Sequence, residues 1–363
     1  MDIGRALDIP LRRGMERIQA RQYIDVYERD EKRCDELLEL AKLDYNRVQW
    51  LLQKELKDLS VWWKDLGLIK KLSFARDRLV ECYFWSLGPC HEPHQSRSRR
   101  VFTKVIVLFS LMDDIYDVHG TLEELIPFNN VIQRRDMEGM KQIPEYMQVF
   151  IHALEGTYKE IEEELLVEGN SYRMGYLKEV VKRLSGAYLQ EATWGFQKYV
   201  PSFKEHLKVS LQTCGYPSLH CVSLVGAVAE DNVTKDAFDW VISVPRITLS
   251  SATVCRLLDD IHDLNQDKEE REMISTVECY MSERGISVEA ALSEFRKMIN
   301  NAWKNINEEL LNASTFPVAA VLGPAHRLAC MMQVIYNNYD SYNHPAGEMK
   351  DKIAMLVVDP VPI

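Results

Sequence analysis

Val101-Phe102-Thr103-Lys104-Val105-Ile106-Val107-Leu108-Phe109-Ser110-Leu111-Met112-Asp113-Asp114-Ile115-Tyr116-Asp117 is an apolar run that ends in a cluster of aspartates. The spacing predicts a strongly apolar helix from Val101 to Leu111, with a turn at His119-Gly120. Asp113 and Asp117 lie four apart, so on a helix both carboxylates face the same way. Like charges there repel, and the dipole at a helix C-terminus adds to the cost. Hard divalent cations bound to carboxylate oxygens would remove that cost. The plain alternative is a solvated acidic helix end. The apolar helix leading in should be buried, however, which points these groups toward a cavity.

Working outward, helical periodicity continues along the chain. Leu37, Ala41, Tyr45, Val48, Leu52 and Leu56 recur at spacings of three and four, and 146–166 and 290–311 behave alike. Alternating strand patterns are scarce. Pro and Gly punctuate the helices at Gly88-Pro89, Gly120, Pro201, Gly215-Tyr216-Pro217, Pro245, Gly323-Pro324 and Pro345. The expectation is all-α: ten to twelve helices around one core, a bundle with a central cavity. Residues 1–30 have weak periodicity and read as an arm packed on the bundle, ahead of a main domain over 31–363.

A second cluster reads Arg256-Leu257-Leu258-Asp259-Asp260-Ile261-His262-Asp263 and continues to Asp267. Asp259, Asp263 and Asp267 fall at i, i+4 and i+8, one acidic stripe on a helix that starts near Pro245. Arg256 lies on the same stripe. Ile247, Leu249, Ala252, Val254 and Cys255 make this helix largely buried, and buried acid needs partners. Two such clusters in one bundle suggest facing walls with metal ions and a polyanion between them. His262 is a candidate ligand, though a satisfied surface imidazole is the reading favoured. Arg76-Asp77-Arg78 precedes an aromatic stretch, and guanidinium forks pair well with phosphate oxygens. An ion pair of either arginine with Asp77 or Glu81 accounts for the same pattern.

Bulk properties narrow the class. The chain has 363 residues, 46% hydrophobic, and a formal charge of −11. An acidic surface argues against nucleic acid as a partner, and suits a diphosphate only if metal ions mediate. Eight cysteines without a C-x-x-C pair read as reduced thiols of a cytoplasmic protein. The start, Met1-Asp2-Ile3-Gly4-Arg5, lacks an apolar signal core, and no run of about 18 apolar residues exists to span a membrane.

These motifs together resemble those of plant class I terpene synthases. The stretch from Leu111 to Asp117 is similar to that family's aspartate-rich metal motif, and 75–85 resembles its arginine motif and aromatic sequel. Arg256 to Asp260 resembles the start of the second metal motif, followed by Val277-Glu278-Cys279-Tyr280-Met281. Thr213-Cys214-Gly215-Tyr216 resembles a broken helix near the reacting cation. Tyr336, Asp340 and Tyr342 resemble residues of a C-terminal cavity helix. The likeness spans nearly the whole chain. It departs at Asp263, where the family has Ser or Thr, and at Asp267, where it has Glu, so a third metal would be held differently, with Glu269 or Glu270 as alternatives. Arg135 stands where relatives commonly have Trp, and the chain is expected to begin near the junction with the N-terminal helical domain that relatives carry.

The resemblance implies a carbon–oxygen lyase that ionises a prenyl diphosphate, with farnesyl diphosphate and a sesquiterpene product expected. Three Mg²⁺ ions, with Mn²⁺ as a substitute, would be held by Asp113, Asp114 and Asp117 and by Asp259, Asp260, Asp263 and Asp267. Arg76, Arg78 and Arg256 would hold the diphosphate. Trp85, Tyr336 and Tyr342 would stabilise the cation, with Asp340 beside them and Thr213 and Gly215 contributing to substrate binding. A monomer or weak homodimer is expected. Two rivals stand beside this reading. One is a chain-elongating prenyltransferase, favoured by the two D-D-x-x-D clusters but short of a basic segment beyond Arg12-Arg13-Gly14. The other is a helical scaffold without catalysis.

Overall fold

Between Val101 and Met112 every residue except Ser110 is buried, as the apolar run requires. Removing those side chains from water contributes about 1.5–3 kcal/mol for each large one. The computed structural model describes residues 9–136, 138–228, 233–264, 274–312, 318–337, 340–342 and 344–363, without the side chains of Asp263 and 318–320. Among the described residues there are sixteen α-helices and no strand. In order they are α1 (Glu16–Glu28), α2 (Asp35–Leu66), α3 (Leu68–Lys71), α4 (Leu79–Ser86), α5 (Ser96–Asp114), α6 (Leu122–Arg134), α7 (Glu145–Leu166) and α8 (Arg173–Gln197). There follow α9 (Phe203–Thr213), α10 (Tyr216–Val225), α11 (Lys235–Ile242), α12 (Arg246–Asp263), α13 (Thr276–Arg284), α14 (Val288–Leu311), α15 (Val318–Ile335) and α16 (Glu348–Val357).

The number exceeds the expected ten to twelve in part because Gly67, a break the pattern does not mark, adds the short helix α3, whereas the break at Gly215 is one the sequence marks. Gly67, at φ 62°, ends α2 and is followed at once by α3. Gly215, at φ 77°, separates α9 from α10. Glycine adopts this left-handed backbone without steric cost. Residues 9–30 carry short elements packed on the bundle. Leu11–Arg13 form a tight turn, and α1 packs Ile18 and Ile24 inward against α2 and α16. Tertiary burial stabilises α1 where its own periodicity is weak.

The packing sets up the interior. Helix α12 lies against α14 and α15, α4 against α5, and α10 against both α5 and α8. Buried side chains from Met15 to Val361 form one contiguous cluster. Within it sits a buried ion pair: Arg99 on α5 places Nη2 2.7 Å and Nε 2.8 Å from the two oxygens of Glu55 on α2. The Tyr83 hydroxyl on α4 donates to the same carboxylate at 2.9 Å. A bidentate guanidinium–carboxylate contact has fixed geometry. It sets the register of α4 and α5 on α2, and so where the acidic end of α5 emerges. No single described helix is long and apolar enough to cross a membrane.

Candidate active site

Helix α5 does not stop at its aspartates. From Ile115 to His119 the backbone widens to a π-helical turn, closed by Gly120 N–H donating to Ile115 O at 2.9 Å. Such turns occur often at functional sites. Asp113, Asp114 and Asp117 line an open cavity of about 1030 Å³. Across it Arg256, Asp259 and Asp260 of α12 line the same space, so the two acidic clusters share one cavity. The backbone of Asp263 ends α12, but its side chain and the whole of Asp267, Glu269 and Glu270 lie outside the described residues.

The two walls differ electrostatically. Burial pushes the Asp113 carboxyl well up, and the Asp117 and Asp114 charges push it further, against a hydrogen bond from Tyr188 and the charge of Arg256. Asp117 is raised to about 7, by the atoms crowding it and then by Glu191, although it keeps solvent contact through the cavity mouth. Asp114 is raised by burial against the pull of Arg76. On α12, Arg256 is paired with Asp259, and its Nε lies 3.1 Å from Asp260 Oδ1. The second Asp260 oxygen is buried without a hydrogen-bond partner.

Glu191 on α8 joins the acidic wall and was not foreseen from the sequence. It accepts a hydrogen bond from Thr213 Oγ1 at 2.9 Å and is raised to about 7, by burial first and then by the Asp113 and Asp260 charges, against Arg256. Tyr188, one turn earlier on α8, also lines the cavity. Both stand in an ordinary amphipathic pattern, and nothing in the sequence marks them out.

The remaining predicted residues fall in different places. Arg76 lines the cavity, whereas Arg78 is buried, donates to the Tyr342 carbonyl and lays its guanidinium 4.4 Å from that ring's centre. Asp77 pairs instead with the Trp63 indole, at 3.0 Å. Trp85, Tyr336 and Tyr342 line the apolar side, with the Trp85 ring edge-on to Tyr342 at 5.3 Å. Thr213 and Gly215 line it at the break between α9 and α10. Tyr336, Asp340 and Tyr342 are not on a helix as expected. Helix α15 ends at Ile335, where Ser341 N–H folds back on the Ile335 carbonyl, and buried Asp340 accepts from Tyr342 N–H at 2.9 Å. His262 is half-buried, its ring 5.8 Å from that of Tyr336, rather than a surface imidazole.

Hard oxygen donors crowded together at a cost suit Mg²⁺, and the unpartnered Asp260 oxygen adds to the fit. Among the described residues no three acidic, histidine or cysteine groups converge closely enough to hold an ion unaided.

Comparison with known proteins agrees with this geometry. Residues 64–305 match the "Terpene synthase family, metal binding domain". A (-)-germacrene D synthase of Vitis vinifera is 46% identical over 358 residues, 99% of this chain and 64% of that protein. A valencene synthase of Vitis vinifera is likewise 46% identical, over 361 residues and the same shares. The chain thus spans somewhat less than two thirds of the length of these relatives. Isoprene synthase from grey poplar (Populus x canescens), solved with three Mg²⁺ ions and dimethylallyl-S-thiolodiphosphate, superimposes with a TM-score of 0.92 at 31% identity, covering 99% of this chain and 68% of that one. A limonene synthase solved with 2-fluorolinalyl diphosphate gives 0.92 at 32% identity, covering 99% and 66%. With its helical bundle, its shared acidic cavity and these likenesses, the chain belongs to the terpene synthase family.

Proposed function

We propose that this protein is a Mg²⁺-dependent carbon–oxygen lyase that ionises farnesyl diphosphate and guides the carbocation to a sesquiterpene. The observation that carries this reading is the convergence of α5 and α12 carboxylates on one cavity whose other side is aromatic. Bound Mg²⁺ would supply the positive charge that makes diphosphate a leaving group. Asp113 and Asp117, and Asp259 with Asp263 and Asp267, are the residues that would hold it, three ions being expected and Mn²⁺ a substitute. Glu191 adds a carboxylate beside the first group.

The chain's own residues do the rest. Arg76 and Arg256 present guanidinium groups to the departing diphosphate. Arg78 acts differently: from beneath, it fixes Tyr342 by its hydrogen bond and ring contact. Trp85, Tyr336 and Tyr342 turn aromatic surface to the cation, worth about 2 kcal/mol each when desolvated. Asp340 holds the Tyr342 backbone. Gly215 opens the α9–α10 break in the cavity wall. The cavity has room for a prenyl chain with its diphosphate. Residues 31–363 form the catalytic domain, working in the cytoplasm as a monomer or weak homodimer.

The test is incubation with farnesyl diphosphate and Mg²⁺, with and without isopentenyl diphosphate, followed by analysis of volatiles and of longer diphosphates. Volatile terpenes from the single-substrate tube are expected. Elongated diphosphates in the two-substrate tube alone would decide for chain elongation, and no product from either would decide for a scaffold.

A further inference from the structure

Two thiols meet in the cavity wall. Cys214 ends the segment before Gly215, where the backbone breaks between α9 and α10, and Cys255 stands on α12 beside Arg256. Each sulfur reaches across to the segment that carries the other. Cys255 Sγ lies 3.9 Å from the Cys214 carbonyl oxygen, and Cys214 Sγ lies 3.8 Å from that of Ala252, one turn before Cys255. Both side chains line the cavity, so a small solute reaches them from solvent. None of the eight cysteines is in a disulfide. Cys34 is exposed, and Cys82, Cys90, Cys221, Cys279 and Cys330 are buried in the packing.

The two thiols are not equivalent. Burial raises the Cys214 thiol, but hydrogen bonds from Cys255 and the Tyr216 amide, together with the Arg256 charge, outweigh it and leave the group below its ordinary range. Cys255, more deeply buried and next to Cys214, is pushed well up. A more acidic, reachable thiol beside a protonated one is the arrangement of an attacking and a resolving cysteine.

We propose that Cys214 and Cys255 form a redox-modification site in the cavity wall, at which hydrogen peroxide joins the two sulfurs in an intramolecular disulfide. The Cys214 thiolate attacks one peroxide oxygen and the O–O bond breaks. This leaves a sulfenic acid on Cys214 and a hydroxide that takes up the proton Cys214 lost. Cys255 sulfur then attacks Cys214 Sγ, the S–O bond breaks, and the hydroxyl leaves as water with the Cys255 proton. Two electrons pass from the thiols to peroxide, which ends as two waters. The new bond ties the α9–α10 break to α12, the helix that carries Arg256, Asp259 and Asp260. Oxidation therefore locks the wall on which the proposed chemistry depends, and a thiol reductant releases it.

Peptide mapping of the full chain after peroxide, without reduction, decides the chemistry. A linked Cys214–Cys255 peptide that dithiothreitol abolishes is expected. In Cys255→Ser, dimedone should label Cys214, and in Cys214→Ser it should leave Cys255 unlabelled. Oxidation of exposed Cys34 with both cavity thiols still free would overturn the proposal, as would a dimedone adduct on Cys255. The wild-type map stands whether or not the variants fold. For the lock, turnover of farnesyl diphosphate should fall in step with the linked fraction and return with dithiothreitol; full turnover by fully linked protein would refute it. This last arm rests on the proposed function. Absence of turnover before peroxide would count against that function, while the linked peptide decides the disulfide by itself.

Discussion

The two acidic walls of the cavity carry the same residue type and solve opposite problems. On α5 and its π turn, Asp113, Asp114 and Asp117 sit together with Glu191 close by; burial lifts Asp113 and Asp114 above the usual carboxylate range, and neighbouring carboxylates push Asp113 and Asp117 further up. On α12, Asp259 and Asp260 come with their own cation, Arg256. One wall stores charge repulsion that an incoming cation relieves. The other is partly neutralised before anything binds. The difference teaches that a carboxylate count alone does not describe a metal site; the cations within reach decide which wall responds to one.

Removing a carboxylate from the repelling wall should have the largest effect. Asp113→Ala is expected to cut turnover by roughly 10²–10³-fold or more, with the helical circular dichroism signal preserved. Unchanged turnover would take that wall out of the site. On the neutralised wall, Arg256→Met should leave Asp260 buried without its partner and destabilise the metal-free protein by about 3–5 kcal/mol in urea unfolding. A change near zero would erase the contrast between the walls.

A third test concerns what holds α12 in place. His220 on α10 is wholly buried, with Nδ1 2.7 Å from Thr248 Oγ1 on α12 and Nε2 2.8 Å from the Val321 carbonyl oxygen on α15. Burial depresses its folded pKa to about 4 from 6.5. The folded state therefore binds fewer protons than the unfolded one between those values. The stability contributed by neutral His220 is complete above about pH 6.5 and is lost as pH falls toward 4, by about 3 kcal/mol in all. Urea midpoints at pH 7 and pH 4.5, for the wild type and His220→Gln, measure it; the variant should show a shallower fall. The smallest effect is expected at Thr213→Val, which removes the donor to Glu191 and should cost about 1–2 kcal/mol by the same measurement.

The reach of the sequence follows from how local each signal is. The Val101–Met112 run is buried almost throughout, and the spacing of Asp113 and Asp117 predicts their shared direction, because helix geometry fixes both. On α12 the same geometry brings Arg256 and Asp259 together, while the Asp263 side chain and Asp267 lie outside the described residues. Glu191 is not, since Gln190-Glu191-Ala192-Thr193 looks like any half-exposed helix face until α8 packs across the end of α5. Arg76 and Arg78 are two apart and diverge: one stays at the cavity while the other turns under Tyr342. The meeting of Cys214 with Cys255 depends wholly on tertiary packing of α9 against α12. Tyr336, Asp340 and Tyr342 read as helical only through the family resemblance; α15 ends at Ile335 instead, and Ser341 N–H turns back on the Ile335 carbonyl.

The claim that both walls grip one Mg²⁺–diphosphate cluster is tested most directly by calorimetric titration of inorganic pyrophosphate into the protein with and without Mg²⁺. Binding should appear only with Mg²⁺ and should be lost in both Asp113→Ala and Asp259→Ala. Equal binding without the metal, or undiminished binding in either variant, would contradict the account.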